Sequence, residues 1–156
     1  MNIGIIGLGS MGLNLAKNII SKKYKVYAYE ENSVINNGLK KNKVKDLFLT
    51  ESLSELLKKV ISPRIIMLSL PADKVDAVIN ELINFLEPED IVADLGNSLY
   101  LKSIQRDTLL NSHKINFLGA GVSGGPRGAK NGPSIMIGGS KKWTNRIFSK
   151  EHRHFS

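Results

Sequence analysis

The chain has 156 residues, of which 42% are hydrophobic and 23% charged, and these proportions predict one soluble globular domain with its own core. No apolar run approaches the ~18 residues needed to cross a membrane, Met1 leads directly into a strand pattern and cysteine is absent, so we expect a cytoplasmic protein without signal peptide, disulfide or thiolate metal site. The net charge of +8 does not indicate nucleic-acid binding, because the lysines are scattered over helix ends and loops and no nucleic-acid-binding motif accompanies them.

The chain opens on an apolar strand over residues 3–6, followed by G-x-G-x-x-G at Gly7, Gly9 and Gly12 and then by a helical pattern. In that context the first glycine permits a tight turn, the second lets the backbone approach a pyrophosphate, and the third lets the helix pack against the strand. The phosphates would lie on the N-terminus of the helix. The alternative is a glycine-rich turn that binds no ligand.

The second predicted strand, over residues 25–29, ends at Glu30. A carboxylate at this place can accept both hydroxyl hydrogens of the adenosine ribose and repels a 2′-phosphate, which favours NAD over NADP. No arginine or lysine lies between Tyr29 and Lys40, where a clamp for a 2′-phosphate is expected. The alternative is that Glu30 and Glu31 form a solvated strand end.

Helices and strands alternate without interruption after this point. The further predicted elements are a short helix over 33–41, a strand over 46–49, a helix capped by Thr50 or Ser52 and running to Val60, a strand over 64–70, a helix over 72–86, a strand over 91–95, a helix over 101–111 and a strand over 115–118. The alternation predicts an α/β fold with a Rossmann-type, doubly wound, mostly parallel sheet. Because the carboxyl ends of such strands face the ligand, Ser69, Leu70 and Pro71 are expected beside the cofactor.

The densest glycine region begins at Gly119 and continues to Gly139. Helix and strand interiors tolerate glycine poorly, so this many glycines at the end of one strand indicate a backbone that comes close to a ligand. Ser123 and the N–H groups of Gly124 and Gly125 suit a carboxylate or hydroxyl, whereas no general base accompanies Ser123 as a nucleophile. A glycine loop without a ligand is the alternative.

Several of these motifs together resemble the N-terminal domain of 6-phosphogluconate dehydrogenase. The resemblance covers residues 1–148 and implies that they form a dinucleotide-binding domain. The motifs are Gly7–Leu15, Pro63-Arg64, Gly96-Asn97-Ser98, Gly121–Gly125, Gly128-Ala129 and Gly132-Pro133-Ser134. The resemblance implies oxidative decarboxylation of 6-phosphogluconate to ribulose 5-phosphate with reduction of NAD(P), as in the pentose phosphate pathway and gluconate metabolism. It places the pyrophosphate among Gly7, Gly9, Ser10, Met11 and Gly12. It also places Asn97 against both substrate and nicotinamide, and Ser123, Gly124 and Gly125 against the substrate.

The resemblance also bears on cofactor and partners. NADP-dependent members carry Asn-Arg-Thr where this chain has Glu30-Glu31-Asn32, so the missing arginine favours NAD, and full-length relatives are homodimers. Two alternative functions are a 3-hydroxyisobutyrate-type β-hydroxyacid dehydrogenase and a non-catalytic NAD-binding interaction domain. Members of the first group usually have a Ser-Thr pair where this chain has Asn97-Ser98.

Residues 149–156 do not resemble the family and are predicted to be a disordered tail. The family's helix with the catalytic lysine and its all-helical domain have no counterpart in the sequence, so we assign no catalytic residue and expect NAD binding without turnover from the isolated chain. His152 and His154 lie in this basic tail, and we predict no metal site there.

Overall fold

Strands and helices alternate throughout the computed structural model of the chain, which describes residues 2–139. The strands are β1 (Asn2–Ile6), β2 (Lys25–Tyr29), β3 (Leu47–Thr50), β4 (Ile65–Leu68), β5 (Ile91–Asp94), β6 (Asn116–Ser123) and β7 (Ser134–Gly139). The helices are α1 (Ser10–Ser21), α2 (Ser33–Lys41), α3 (Leu53–Lys59), α4 (Ala72–Leu82), α5 (Tyr100–Ser112) and α6 (Gly125–Asn131).

All seven strands form one sheet in the order β3-β2-β1-β4-β5-β6-β7. Strands β1 to β6 pair in parallel, and β7 alone runs antiparallel, against β6. The chain begins in the middle of the sheet, winds outwards to β3, and then returns beside β1 to wind the other way. This reversal is the doubly wound topology, and it confirms the predicted fold class.

The core lies on both faces of the sheet because alternate side chains of a strand point to opposite sides. On β4, Ile65 and Met67 pack in the cluster that includes side chains of α1, α2 and α6, whereas Ile66 and Leu68 pack with α3, α4 and α5. All four are at most 2% exposed. A strand buried on both faces reads as an unbroken apolar run, which is why the sequence pattern located it.

The structure shortens one predicted helix and decides between the two predicted caps of another. Helix α4 ends at Leu82 rather than at residue 86, although Ile83 and Leu86 are still partly buried against the same cluster, so the apolar periodicity continues past the helix. The cap of α3 is Ser52, whose Oγ accepts a hydrogen bond from the Glu55 N–H. Thr50 is instead buried at the end of β3 and donates to the Ala28 carbonyl.

The strand predicted over residues 115–118 ends too early, and the alternative of an irregular glycine loop from residue 119 onwards is wrong. Strand β6 continues through the glycines to Ser123, and α6 and β7 follow it directly. A Cβ at Gly119 would lie 3.1 Å from Ser103 Oγ, and one at Gly139 would lie 2.5 Å from a side-chain carbon of Leu118. These glycines therefore make room for neighbouring side chains within the sheet layer, a packing role that the sequence pattern did not reveal.

Within residues 2–139, no helix has the length and apolar character needed to cross a membrane. The predicted tail over residues 149–156, with His152 and His154, lies outside the described residues.

Candidate functional site

One edge of the sheet gathers residues that are far apart in the sequence. Strands β1, β2, β4, β5 and β6 run in the same direction, so their carboxyl ends meet at this edge. Gly7, Glu30, Ser69, Asn97 and Ser123 all lie at or just beyond those ends. The topology therefore places the predicted cofactor and substrate residues along a single border of the sheet.

A cleft of about 700 Å³ opens at this edge, between the end of β1 and the starts of α2 and α4. Six of the predicted cofactor residues line it, namely Gly7, Gly9, Glu30, Ser69, Leu70 and Pro71. Ser10, Met11 and Gly12 form the first turn of α1, directly after Gly9. Asn97 lines a second cavity, although the preceding residue, Gly96, lies close to the backbone of Leu70 in the cleft.

The three motif glycines have different surroundings. Gly7 has φ +92°, and a Cβ there would lie 2.4 Å from the Ser69 carbonyl oxygen; a Cβ at Gly12 would lie 2.0 Å from the carbonyl oxygen of Gly7. A Cβ at Gly9 would have no atom within 4 Å. Gly7 and Gly12 are thus required by the protein's own packing, whereas the backbone at Gly9 is open to an approaching ligand.

The N-terminus of α1 has no side-chain cap, a property that it shares with α4, α5 and α6. Asn32 and Ser52 cap α2 and α3 with side-chain oxygens, but no side chain caps α1 and no acidic residue lies in its first turn. The first N–H groups of an α-helix have no partner inside the helix. Those of α1 are therefore available, beside Gly9, to an anion such as a pyrophosphate.

Glu30 is held in place by two backbone groups. Its Oε2 accepts a hydrogen bond from the Leu8 N–H at 2.5 Å, and its Oε1 accepts one from the Asn32 N–H at 2.8 Å. The residue is only 9% exposed. The carboxylate thus joins the glycine turn to the start of α2, and each oxygen retains a lone pair that can accept from a ribose hydroxyl.

Sequence reasoning missed Lys74, which lies in the first turn of α4 and lines the cleft. Its Nζ pairs with Glu31 Oε2 at 3.0 Å. The sequence pattern places a clamp for a 2′-phosphate between residues 29 and 40, near the end of β2, and Lys74 lies outside that range. Lys74 follows shortly after Ser69, Leu70 and Pro71, which are predicted to lie beside the cofactor, and this proximity in sequence is the signal that could have identified it.

The cleft is acidic although the chain is basic. Glu30, Glu31 and Glu81 line it, with Lys74 as the only lysine or arginine among its described residues. Burial, followed by the negative charges of Glu31, Glu81 and Glu30, raises the pKa of Tyr29. The hydrogen bond and charge of Glu31 raise the pKa of Lys74, so the ammonium form persists at neutral pH.

Asn97 and Ser98 line the second cavity, of about 650 Å³, between α5 and the last two strands. Asn97 has a positive φ of 54°. Its Oδ1 accepts from the Val122 N–H at 2.9 Å, and its Nδ2 donates to the Val122 carbonyl at 3.5 Å. These bonds fasten the turn after β5 to β6, one residue before Ser123, and leave one Nδ2 hydrogen for a ligand.

A buried ion pair supports this turn. The Arg106 guanidinium on α5 donates to Asp94 Oδ2 and to Ser98 Oγ, both at 2.7 Å, and Arg106 and Asp94 are 3% and 1% exposed. Asp94 Oδ1 accepts from the Gly96 N–H at 2.9 Å. The turn that carries Asn97 is therefore tied to both β5 and α5.

Ser123, Gly124 and Gly125 are exposed at the end of β6. Gly124, with φ 111°, precedes α6, and Gly125, with φ 58°, begins it. Neither of the two cavities is lined by these three residues. Among residues 2–139, no group of three or more His, Asp and Glu side chains is arranged to hold a metal ion.

Comparison with known proteins gives a consistent result. A family model described as the NAD binding domain of 6-phosphogluconate dehydrogenase matches residues 2–149. A protein of Buchnera aphidicola subsp. Acyrthosiphon pisum (strain APS), named 6-phosphogluconate dehydrogenase, decarboxylating, is 42% identical over 142 residues, which are 90% of this chain and 30% of that protein. A Staphylococcus epidermidis protein of the same name is 40% identical over 147 residues, 93% of this chain and 31% of its own length.

Among solved structures, Plasmodium falciparum 6-phosphogluconate dehydrogenase has a TM-score of 0.88 and 33% identity, over 98% of this chain and 33% of its own. It is described in its apo form, with its cofactor NADP⁺ and with its substrate 6-phosphogluconate. Mycobacterium tuberculosis 3-hydroxyisobutyrate dehydrogenase has a TM-score of 0.84 at 20% identity, over 99% of this chain and 52% of its own, a likeness of fold alone. The chain spans about 30% of the length of the curated relatives it matches.

Proposed function

Because the chain belongs to the family of the NAD binding domain of 6-phosphogluconate dehydrogenase, we propose that it binds the dinucleotide in the oxidative decarboxylation of 6-phosphogluconate to ribulose 5-phosphate. The observation that carries the proposal is the open backbone at Gly9 beside the uncapped N-terminus of α1. Among residues 2–139, no side chain caps this helix and no atom lies within 4 Å of a Cβ built at Gly9, so an anionic pyrophosphate fits the position by both shape and charge.

We infer that NAD is preferred to NADP. Glu30 supports this preference, because its fixed carboxylate would accept from the ribose hydroxyls and repel a 2′-phosphate. The Plasmodium relative has NADP⁺ as its cofactor, so family membership does not by itself decide the choice. Parallel titrations with NAD⁺ and NADP⁺ test it directly.

A bound nicotinamide would supply the hydride acceptor for the reaction. In this proposal Asn97, held by Val122, donates its remaining amide hydrogen to the substrate or to the nicotinamide. Ser123 and the N–H groups of Gly124 and Gly125 bind substrate oxygens. The cytoplasmic location and a homodimeric assembly remain predictions from the sequence and the family resemblance.

The test of cofactor binding compares the purified chain with Gly9→Ala by calorimetric titration with NAD⁺. We expect the substitution to lower NAD⁺ affinity at least about 100-fold, because the new methyl group occupies the space the pyrophosphate needs. Its urea denaturation midpoint should stay close to that of the wild type, since the methyl group meets no protein atom within 4 Å. Equal NAD⁺ affinity in both proteins would contradict the proposed site.

The substrate part needs a separate measurement that does not depend on turnover. We expect 6-phosphogluconate, added to the ¹⁵N-labelled, NAD-saturated chain, to shift amide signals of residues 122–125, and 3-hydroxyisobutyrate at the same concentration to shift them much less. The reverse order would favour the β-hydroxyacid dehydrogenase alternative. No shift with either compound would favour a non-catalytic NAD-binding domain.

A further inference from the structure

The ion pair between Lys74 and Glu31 spans the mouth of the cofactor cleft. Glu31 follows β2, and Lys74 lies 43 residues later on α4, on the opposite wall; their charged atoms are 3.0 Å apart. Both residues line the cleft together with Glu30. The pair therefore lies where the ribose end of a dinucleotide would be, provided that the proposed function is right.

This pair is open to exchange with a ligand. The Lys74 and Glu31 side chains are 54% and 72% exposed, and exposed ion pairs contribute little to stability. A phosphate group carries more charge than a carboxylate and has more acceptor oxygens, so it competes well for an ammonium. Lys74 can thus leave Glu31 for a phosphate at little cost to the fold.

The charged groups that line the cleft determine whether the Lys74 ammonium is available to a ligand. Three carboxylates, of Glu30, Glu31 and Glu81, line the cleft against this one ammonium. Glu30 is fixed by the backbone N–H groups of Leu8 and Asn32, whereas Glu31 has its bond to Lys74 at the exposed rim. Removal of the Glu31 charge would free the ammonium and remove one source of repulsion while leaving Glu30 in position.

We propose that Lys74 is a specificity-determining residue of the cofactor cleft: it is the cation that meets a 2′-phosphate, and Glu31 withholds it by pairing with it. The Lys74–Glu31 pair and the carboxylate of Glu30 together keep the chain selective for NAD. The cation for a 2′-phosphate thus comes from α4, on the wall opposite the end of β2.

The experiment titrates NAD⁺ and NADP⁺ calorimetrically into wild type, Glu31→Gln, Lys74→Gln and the double variant at low salt. We expect Glu31→Gln to raise NADP⁺ affinity about tenfold and Lys74→Gln to lower it about fivefold, because each unit charge near a phosphate changes binding by about that factor in water. NAD⁺ affinity should change less than about twofold in both, since the ribose hydroxyls are uncharged. In the double variant the gain from Glu31→Gln should shrink to the smaller part that comes from the lost repulsion, because no ammonium is freed there.

Glu51→Gln is the matched control. Its pair with Lys40 has a similar length, 2.9 Å, and similar exposures of 73% and 47%, but neither residue lines the cleft. The same gain in NADP⁺ affinity for Glu51→Gln and Glu31→Gln would show a general charge effect and overturn the proposal. A gain from Glu31→Gln that is undiminished when Lys74 is also replaced would likewise overturn it. Absence of NAD⁺ binding to the wild type would instead overturn the proposed function, and this inference with it.

Discussion

Gly7, Gly9 and Gly12 share one motif but serve different purposes at the scale of the single residue. The backbone at Gly7 adopts a positive φ and contacts the Ser69 carbonyl, Gly12 contacts the Gly7 carbonyl, and Gly9 faces open space. A side chain at the first or third position would collide with the protein itself, and one at the second with a ligand. Alanine substitutions can therefore separate folding from binding within a single turn.

We predict that Gly12→Ala destabilises the domain by at least about 2 kcal/mol, because its Cβ would lie 2.0 Å from a backbone oxygen that cannot move without shifting the whole turn. Urea denaturation followed by circular dichroism measures the loss. Gly38→Ala is the control: this glycine is exposed within α2 and a Cβ there meets no atom within 4 Å. The Gly38→Ala variant should gain about 0.5–1 kcal/mol in free energy of unfolding, because alanine has the higher helix propensity. A loss of stability as large as that of Gly12→Ala would refute the steric argument.

At the scale of the element, Arg106 on α5 joins three parts of the structure. Its guanidinium reaches Asp94 at the end of β5, Ser98 in the following turn and Asp76 on α4. Because Arg106 and Asp94 are almost fully buried, each charge depends on the other for its stabilisation. This network, rather than apolar packing alone, fixes how α4 and α5 meet behind the turn that carries Asn97.

We predict that Arg106→Met lowers the free energy of unfolding by about 3–5 kcal/mol, since it leaves the Asp94 carboxylate buried without its cation. Chemical denaturation provides the value. Lys102→Met is the matched control on the same helix; Lys102 also binds Asp76, but it is 52% exposed, and its loss should cost less than about 1 kcal/mol. Similar losses for the two variants would mean that burial of the ion pair is not the cause.

The same network makes stability depend on pH. The hydrogen bond from Arg106 is the main cause that lowers the pKa of Asp76 from its usual 3.8, and Lys102 adds to it while partial burial opposes it. A carboxyl whose pKa is lower in the folded state stabilises the fold above its unfolded pKa, and this contribution disappears as the pH falls through the folded value.

We therefore predict that the difference in unfolding free energy between wild type and Asp76→Asn is constant from pH 7 down to about pH 5 and shrinks below pH 3.8. The difference should stay under about 1 kcal/mol, because this carboxylate is 45% exposed and screened by solvent. Urea titrations at a series of pH values measure it. A difference that grows as the pH falls would mean that the pKa of Asp76 is raised in the folded state.

At the scale of the whole molecule, the site exists because of the reversal in strand order between β1 and β4. Chains wound to either side of this point leave a crevice between the loops that follow the two strands. The cleft formed there is lined by three glutamates and one lysine in a chain of net charge +8. The net charge of the chain therefore does not describe the charge of this cleft.

The sequence by itself determined the features that depend on neighbouring residues. Unbroken apolar runs located strands that are buried on both faces, such as β4, and an apolar period of 3.6 located the helices. The motif from Gly7 to Gly12 and the position of Glu30 after β2 indicated the edge of the sheet at which the cleft lies, since both belong to one strand–helix–strand unit. Six predicted residues do line the cleft.

Only the tertiary structure decided which distant residues meet. Lys74 reaches Glu31 across 43 positions, and Arg106 links α4, β5 and α5; no local pattern encodes these distances, because they depend on how the helices dock on the sheet. The glycines of β6 and β7 are a further case. Glycine is compatible both with a loop and with close packing between elements. Here Gly119 lies against Ser103 of α5 and Gly139 against Leu118 of β6, and these contacts between different elements cannot be read from the local sequence.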